Sequence, residues 1–452
     1  MRFIIGTETN FFLSLLREDP ATMSGKDQNY IIEKDEGKNS APEAVIQQPG
    51  EVIVPEVADG LVEKIAEEIY GLKVITCKQL HGYDDKNYHI RVSPPSSNAH
   101  LLSINPEGYV LKIVNTIDTK RPDILYAQIE FMKHLQKRGI ATQEPVPTVK
   151  GEQVAFCQFP PLSGVGDVKT HAVFVRTFLP GQIPYDVTLT RDLCYKLGHF
   201  QASVTKALED FSHSFYDTFD CLWSFNNIPK LKEFVHVITD VRNRRLVDDV
   251  IDHFTTVVLP RRSEIRAGFI HGDLNDQNIL VERKTDVMPN DPDEYVICGV
   301  LDFTEVACTH PLYDLGILVA HFMLGAKTFD PLEVGGHILA GYRSVLDLPE
   351  LELSLLRVTV AVRLVQSLVL GAYNYSLYPD NEYLLTTARQ AGWHVLHALW
   401  DTPADGLYQM WANIQESYQR RSSVRTTKPN INDDQENPGK CMDSRSFKDL
   451  KI

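Results

Sequence analysis

Residues 268–280 read GFIHGDLNDQNIL and place two Asp, two Asn and a His between two apolar anchors. Short polar side chains of this kind are common in turns, so a capped turn is one interpretation. Further along the chain, residues 299–303 read GVLDF and place a single aspartate, Asp302, after an apolar run. Together, the two segments favour a site that handles phosphate and metal over a simple turn.

The residue types in these segments suit phosphoryl transfer. That reaction requires a carboxylate that orients the attacking hydroxyl, oxygen ligands for Mg²⁺ and a cation on the nucleotide phosphates. Asp273 can supply the carboxylate, and Asn278 and Asp302 carry the hard oxygen ligands that Mg²⁺ prefers. Lys112, in the strand-like run YVLKIVN, can supply the cation, although alternation along a strand also permits a solvent-facing lysine there.

The order of apolar patterns indicates strands and helices first, and mainly helices later. Residues 57–70 have the period of a helix that ends at Gly71, and residues 122–138 have the period of a second helix that ends at Gly139. The strand-like segments are 74–79, 87–92, 109–115 and 173–179. From Arg191 onward helical patterns dominate, interrupted by residues 268–280 and a strand pair around 294–303.

These patterns predict an α+β, two-lobed molecule. The boundaries are a small β-rich N-lobe at 56–180, which binds the nucleotide, and a larger helical C-lobe at 181–420, which carries the catalytic loop, metal and substrate sites. Polar segments with little apolar periodicity flank them, and we expect a disordered lead-in at 1–55 and a disordered tail at 421–452.

The pair HGDLNDQNIL and GVLDF resembles the signature of the aminoglycoside phosphotransferase and choline kinase family. Members of that family are small-molecule kinases with a protein-kinase-like fold. The resemblance implies that Asp273 is the catalytic base and that Asn278 and Asp302 are the magnesium ligands. It also implies a nucleotide in the cleft between the lobes, with Lys112 on its phosphates.

The same resemblance implies supporting roles. His271 is the structural histidine of the catalytic loop, and Asp314, in HPLYDLGI, is the aspartate that braces that loop. Glu130 is the helix carboxylate expected to pair with Lys112. The chain departs from the family after Asp302, where Thr304 and Glu305 stand in place of small residues, and Glu305 is a candidate carboxylate for a substrate amine.

Other segments carry a closer resemblance, to members of the family that phosphorylate an amino acid. These segments are YDDKNYHI, RNR at 242–244, VGGHILAGY and QSLVLGAYNYSLYPDNEYLL. The resemblance implies transfer of the terminal phosphate of GTP to the side-chain hydroxyl of 5-hydroxy-L-lysine, in lysine degradation. The residues themselves support a small-molecule kinase, and they leave open ATP as donor, choline, homoserine or an amino sugar as acceptor, and a silent pseudokinase that only binds.

Two further features have alternative interpretations. Residues 80–87, LHGYDDKN, form either an ordinary hairpin turn or a loop that covers the nucleotide phosphates with backbone N–H groups. Arg363 is a single cation in the apolar run VTVAVRLVQSLVL, where a charge is costly unless it is paired. It is either one half of a structural ion pair or a clamp for the α-carboxylate of the substrate.

Composition limits the possible partners. The formal net charge of −15 argues against a nucleic-acid backbone as partner. The seven cysteines contain no C-x-x-C pair and favour a reducing, cytoplasmic location. No uninterrupted apolar run reaches the length of a membrane helix, and the amino terminus is a poor signal peptide. The expected partners are a nucleotide and a small molecule, and the oligomeric state is not predicted.

Overall fold

The computed structural model describes residues 51–94, 96–285, 288 and 294–426. The predicted disordered segments lie outside the described residues at 1–50 and 427–452. Within the described part, an antiparallel sheet forms the N-lobe and helices dominate the C-lobe, so the predicted α+β, protein-kinase-like two-lobed fold is confirmed.

The N-lobe is built on one six-stranded sheet. Its strands are β1 (Val74–Leu80), β2 (Lys86–Val92), β3 (Tyr109–Ile113), β4 (Pro145–Val146), β5 (Ala155–Phe159) and β6 (Lys169–Thr177). They run in the order β1-β2-β3-β6-β4, with β5 also paired to β6, and every pairing is antiparallel. Helix α1 (Leu61–Tyr70) ends at Gly71 as predicted and packs its apolar face against this sheet.

Helix α3 (Asp123–Lys137), which follows the short α2 (Thr116–Thr119), connects the N-lobe to the core of the C-lobe. Ile129, Met132 and Leu135 of this predicted helix are buried, as expected for apolar residues at helical spacing. Phe131 of the same helix lies against Phe303, with ring centroids 5.8 Å apart. Because Phe303 follows Asp302, this contact fixes the segment that contains Asp302 relative to helix α3.

The C-lobe surrounds two short strand pairs with helices. The helices are α4 (Arg191–Ala207), α5 (Val241–His253), α6 (Pro311–Gly325), α7 (Glu333–Tyr342), α8 (Glu350–Leu377), α9 (Thr386–Arg389), α10 (Gly392–Asp401) and α11 (Ala404–Thr426). The strand pairs are β7 (Gly268–Ile270) with β10 (Ala307–Thr309) and β8 (Ile279–Arg283) with β9 (Tyr295–Val300). Residues 271–278 join β7 to β8, and residues 301–306 join β9 to β10, so the pairings bring both motif segments together.

Helix α8 is long and apolar enough to cross a membrane by length and composition, although Arg363 interrupts its apolar run. However, 78% of its most apolar window is buried inside the C-lobe, which is the setting of a core helix in a soluble protein. Helix α11 continues to Thr426, beyond the predicted C-lobe end at 420. Ile53, within the predicted lead-in, is buried and donates its N–H to the hydroxyl of Tyr378.

Candidate active site

Asp314, in the first turn of α6, holds residues 271–278, the predicted catalytic loop. Its two carboxylate oxygens accept the N–H groups of His271 (2.9 Å) and Gly272 (2.8 Å). Burial raises the pKa of Asp314 to about 7, although these two N–H donors act in the opposite direction. The structure thus places Asp314 where a loop brace is expected.

His271 is fully buried and connects the two motif segments. Burial lowers its pKa to about 4, so the ring is neutral at pH 7. Its Nδ1 accepts the N–H of Asp273 (3.2 Å), which leaves the proton on Nε2, and Nε2 donates to the carbonyl of Leu301 (2.9 Å). This tautomer connects the catalytic loop to the residue that precedes Asp302.

Both carboxylate oxygens of Asp273 accept side-chain hydrogen bonds. Asn278 donates its amide to Oδ2 at 2.7 Å, Asn275 donates to Oδ1 at 3.0 Å, and Arg363 forms an ion pair with Oδ1. The amide oxygen of Asn275 also accepts the N–H groups of Gln277 and Asn278. Asn275, to which the sequence assigned no role, therefore ties the turn to the carboxylate. Burial raises the pKa of Asp273 and Arg363 opposes that rise.

Lys112 lies between two carboxylates at the opening of the cleft. Its Nζ is 2.7 Å from Oδ2 of Asp85 and 3.6 Å from Oδ1 of Asp302, and it donates to the hydroxyl of Thr304 at 3.2 Å. Burial alone would lower the pKa of Lys112, but Asp302 and Asp85 raise it above its usual value, so the side chain is charged. The sequence-predicted residues Lys112 and Asp302 are thus brought together.

The predicted pairing of Glu130 with Lys112 is wrong. The side chain of Glu130 is 54% exposed and pairs with Lys133 at 3.0 Å. The carboxylate that pairs with Lys112 is Asp85. It is held in position because its Oδ1 accepts the backbone N–H (2.7 Å) and the side-chain amide (3.1 Å) of Asn115. The sequence signal that was available is the Asp-Asp pair at 84–85 in the β1–β2 loop.

The β1–β2 loop, residues 81–85, also contacts the C-lobe. The hydroxyl of Tyr83 accepts from the amide of Asn374 at 2.9 Å, and its ring lies edge-on to Trp223, with centroids 5.2 Å apart. Two more contacts are the stacking of His81 on Tyr383 and the hydrogen bond from Asn381 to the carbonyl of Gly82. The loop is therefore held against the C-lobe.

Three half-buried carboxyl groups, Glu305, Asp84 and Asp118, act on one another in this part of the molecule. Glu305 lines a cavity with Cys221, Trp223 and Gly272, and it accepts from the Cys221 thiol at 3.0 Å. Burial raises the pKa of Glu305 to about 8, and the charge of Asp273 adds to that rise. Burial and neighbouring carboxylates also raise the pKa values of two further residues that affect this pocket, Asp84 and Asp118.

Asp302 and Asn278 have the chemistry of magnesium ligands. Burial alone would raise the pKa of Asp302, but Lys112 and the Thr304 hydroxyl lower it to about 2, so the carboxylate stays charged. The amide nitrogen of Asn278 donates to Asp273, so this contact does not use the amide oxygen of Asn278. Within the described residues no group of three or more His, Cys, Asp or Glu could hold a metal, and Mg²⁺ typically uses one or two carboxylates plus nucleotide phosphates. The two residues fit that pattern.

Comparisons with known proteins place this site in context. The model of a family described as the phosphotransferase enzyme family matches residues 80–348. A hydroxylysine kinase of Bos taurus is 31% identical over 84% of this chain and 98% of its own length. A hydroxylysine kinase of Xenopus laevis is 32% identical over 80% of this chain and 95% of its own length. The closer resemblance predicted from the sequence is confirmed by these relatives.

Solved structures support the fold alone. A microcompartment-associated aminopropanol kinase has a TM-score of 0.54 at 17% identity, over 75% of this chain and 97% of its own. The amicoumacin kinase hAmiN, solved in complex with AMP-PNP, Ca²⁺ and Ami, has a TM-score of 0.53 at 17% identity, over 77% of this chain and 95% of its own. Both share the two-lobed architecture with this chain.

Proposed function

The chain belongs to the phosphotransferase enzyme family, and on that premise we propose that it transfers the terminal phosphate of GTP to the side-chain hydroxyl of 5-hydroxy-L-lysine. The family and the hydroxylysine kinase relatives make it an enzyme that moves phosphate to a hydroxyl group. The acceptor, the nucleotide and the metal are the proposed parts. A role in lysine degradation follows from that acceptor.

The observation that supports the acceptor is Glu305, which lines the cavity beside Gly272 of the loop that contains Asp273 and whose pKa is raised by burial and by the charge of Asp273. Burial and neighbouring carboxylates raise the pKa values of Asp84 and Asp118 near Glu305 as well, although Asp118 also pairs with Arg121. Groups of this kind favour a ligand that brings positive charge. 5-Hydroxy-L-lysine carries two ammonium groups, one of them on the carbon next to the hydroxyl carbon, so it can supply that charge beside Asp273.

In the proposed reaction each residue has one task. The nucleotide lies between the lobes, with its phosphates on Lys112, whose position is fixed by Asp85. Asp302 and Asn278 would hold Mg²⁺, which would neutralise negative charge on the nucleotide phosphates. Asp273 accepts a hydrogen bond from the acceptor hydroxyl, orients it for in-line attack and takes up its proton.

Other acceptors match the pocket less well. Choline brings a quaternary ammonium that cannot donate a hydrogen bond to Glu305, and homoserine brings a single ammonium for several carboxylates. An amino sugar supplies ammonium groups but is bulkier than an amino-acid side chain.

The six described cysteines are all free thiols, which suits the proposed cytoplasmic location.

An acceptor panel tests the proposal. The purified full chain with Mg²⁺ is given GTP or ATP and, in turn, 5-hydroxy-L-lysine, choline, homoserine or an amino sugar, and nucleoside diphosphate and phosphorylated acceptor are both measured. We expect the highest kcat/KM for GTP with 5-hydroxy-L-lysine. Preferred turnover of another acceptor contradicts the proposed substrate. Magnesium-dependent nucleotide binding without turnover of any acceptor would indicate a pseudokinase instead.

A further inference from the structure

We propose that Arg363 recognises the carboxylate of an amino-acid acceptor, and that it holds the carboxylate of Asp273 when no such acceptor is bound. The proposal rests on the proposed function for the role of Asp273. It makes Arg363 a residue that determines specificity, because an acceptor without a carboxylate cannot engage it.

Arg363 is a buried cation with few partners. It lies in the middle of α8 with 3% of its surface exposed. Its Nε donates to His321 (3.3 Å), one terminal nitrogen donates to Gln366 (3.2 Å), and the other pairs with Asp273. A guanidinium has five N–H donors, so each terminal nitrogen has a second N–H to offer.

The charge of Arg363 is shared with one anion in these contacts. Gln366 is neutral, and burial together with Arg363 itself lowers the pKa of His321 well below its ordinary value, so His321 is neutral as well. The neutral partners and the ring of Trp223, 4.9 Å from the guanidinium carbon, fix the plane of the group. A fixed guanidinium with spare N–H groups is suited to a second carboxylate.

The dimensions of an amino-acid acceptor fit this arrangement. Asp273, which orients the hydroxyl, contacts Arg363 directly, so a carboxylate bound by Arg363 would lie close to a hydroxyl bound by Asp273. In 5-hydroxy-L-lysine four C–C bonds separate the carboxylate carbon from the hydroxyl-bearing carbon, a span of roughly 5 Å at the usual bond length. Trp223 contacts both Tyr83 and the guanidinium of Arg363, and Arg363 is buried, so a carboxylate that leaves water to bind there needs a charged partner.

Engagement of the acceptor carboxylate affects Asp273 as well. Arg363 and Asn275 occupy Oδ1 of Asp273, and Asn278 occupies Oδ2. A second carboxylate on Arg363 shares its charge and weakens its hold on Oδ1, which makes that oxygen more available to the acceptor hydroxyl. The carboxylate should therefore raise kcat and also lower KM, because it changes the base and does not only anchor the substrate.

The test compares 5-hydroxy-L-lysine with 1,5-diaminopentan-2-ol, the same molecule without its carboxyl group. In the unmodified enzyme we expect kcat/KM for the amino acid to exceed that for the amine by about 100-fold or more, with part of the difference in kcat. In Arg363→Gln the amino acid should lose about 100-fold while the ratio between the two acceptors falls below about tenfold.

The control is Arg357→Gln, on the same helix. Arg357 donates to the main-chain carbonyls of Leu399, Trp400 and Thr402, away from Asp273, so this variant should keep the preference for the amino acid. An unchanged ratio in a folded Arg363→Gln protein overturns the proposal. Equal use of the two acceptors by the unmodified enzyme also overturns it, and this result does not depend on whether the variant folds.

A binding measurement separates failure of this inference from failure of the proposed function. If 5-hydroxy-L-lysine is not phosphorylated, the proposed acceptor is wrong, and titration calorimetry with L-lysine and 1,5-diaminopentane then decides the inference. We expect L-lysine to bind the unmodified enzyme at least about tenfold more tightly. Equal affinities, or no binding of either, overturn the role of Arg363.

Discussion

The ammonium group of Lys112 lies 2.7 Å from Oδ2 of Asp85, which stands two residues after the loop tyrosine Tyr83. The carboxylate partner of Lys112 therefore comes from the β1–β2 loop and not from helix α3. Because Tyr83 of the same loop contacts Trp223 and Asn374, the loop that holds Lys112 also contacts the C-lobe.

Replacing Asp85 should impair nucleotide use. Asp85→Asn leaves the buried Lys112 with Asp302 as its one remaining carboxylate partner, and breaking a buried ion pair typically costs about 3–5 kcal/mol. We expect a higher KM for the nucleotide, a kcat about 10–100-fold lower and a lower melting temperature. The matched control is Glu130→Gln, which changes an exposed helix carboxylate and should leave all three values unchanged. The opposite ranking of the two variants would restore Glu130 as the partner.

A methyl group at Gly272 should strain the catalytic loop. Gly272 has φ +85°, and an added Cβ would lie 2.1 Å from the carbonyl oxygen of Glu305. Gly139 has a similar φ, +81°, but open space around it. We expect Gly139→Ala to lower the free energy of unfolding by about 1–2 kcal/mol and Gly272→Ala by about 2–5 kcal/mol, measured by denaturant titration. Equal losses would mean that crowding at Gly272 is relieved by movement.

The pH dependence of acceptor use should follow Glu305. Its pKa of about 8 means that it is mostly protonated at pH 7, and only the carboxylate can pair with an ammonium group. We expect kcat/KM for the acceptor to rise with pH up to about 8, where it levels off, and this rise to disappear in Glu305→Gln. A pH profile of the variant that matches the unmodified enzyme would assign the titration to another of the facing groups, which are Cys221, Asp273, Asp118, Asp84 and Arg363.

The same group should affect stability with a defined sign. The pKa of Glu305 rises from 4.5 to about 8 on folding, so the folded protein binds more protons than the unfolded chain between these values. Stability from this group is full below pH 4.5 and is lost as pH rises through about 8. Glu305→Gln should therefore raise the melting temperature at pH 8 and above while changing it little at pH 4.5. A melting-temperature difference that is the same at both pH values would contradict this linkage.

Magnesium should stabilise the nucleotide complex through Asp302. In the unmodified protein, GTP should raise the melting temperature more with Mg²⁺ than with a chelator, because the proposed metal ligands Asp302 and Asn278 would bind the ion together with the nucleotide. Asp302→Asn should lose most of this magnesium-dependent increment. The control is Asp276→Asn, which changes another carboxylate of the same loop, one that accepts a hydrogen bond from Gln390. This variant should keep the magnesium-dependent increment. Equal increments in both variants would place the metal elsewhere.

The sequence was sufficient for the features that depend on local pattern. Helix α3 and its buried stripe were predicted because apolar spacing records which face of a helix is inside. The same spacing argues against Glu130 as the partner of Lys112. Gln128, Phe131, Met132 and Leu135 form the buried face of the helix, and Glu130 lies on the opposite face. Gln128 is in fact the buried polar residue of that stripe, and it accepts from Arg176 at 3.1 Å.

The contacts between residues distant in the chain could not be predicted from the sequence. Lys112 pairs with Asp85, whose carboxylate is held by Asn115, and neither contact leaves a periodic pattern. The sequence identified Arg363 as an anomalous charge with two interpretations. Its ion pair with Asp273, which lies 90 positions away in the chain, is visible in the fold alone.

The central claim is that Asp273 orients and deprotonates the acceptor hydroxyl. Asp273→Asn keeps the size of the side chain and removes its ability to accept the proton, so the decisive measurement is kcat of this variant together with its affinity for GTP and Mg²⁺. We predict that kcat falls by about 10²–10⁴-fold while nucleotide affinity stays nearly unchanged. A folded Asp273→Asn enzyme with kcat close to that of the unmodified protein would contradict the account.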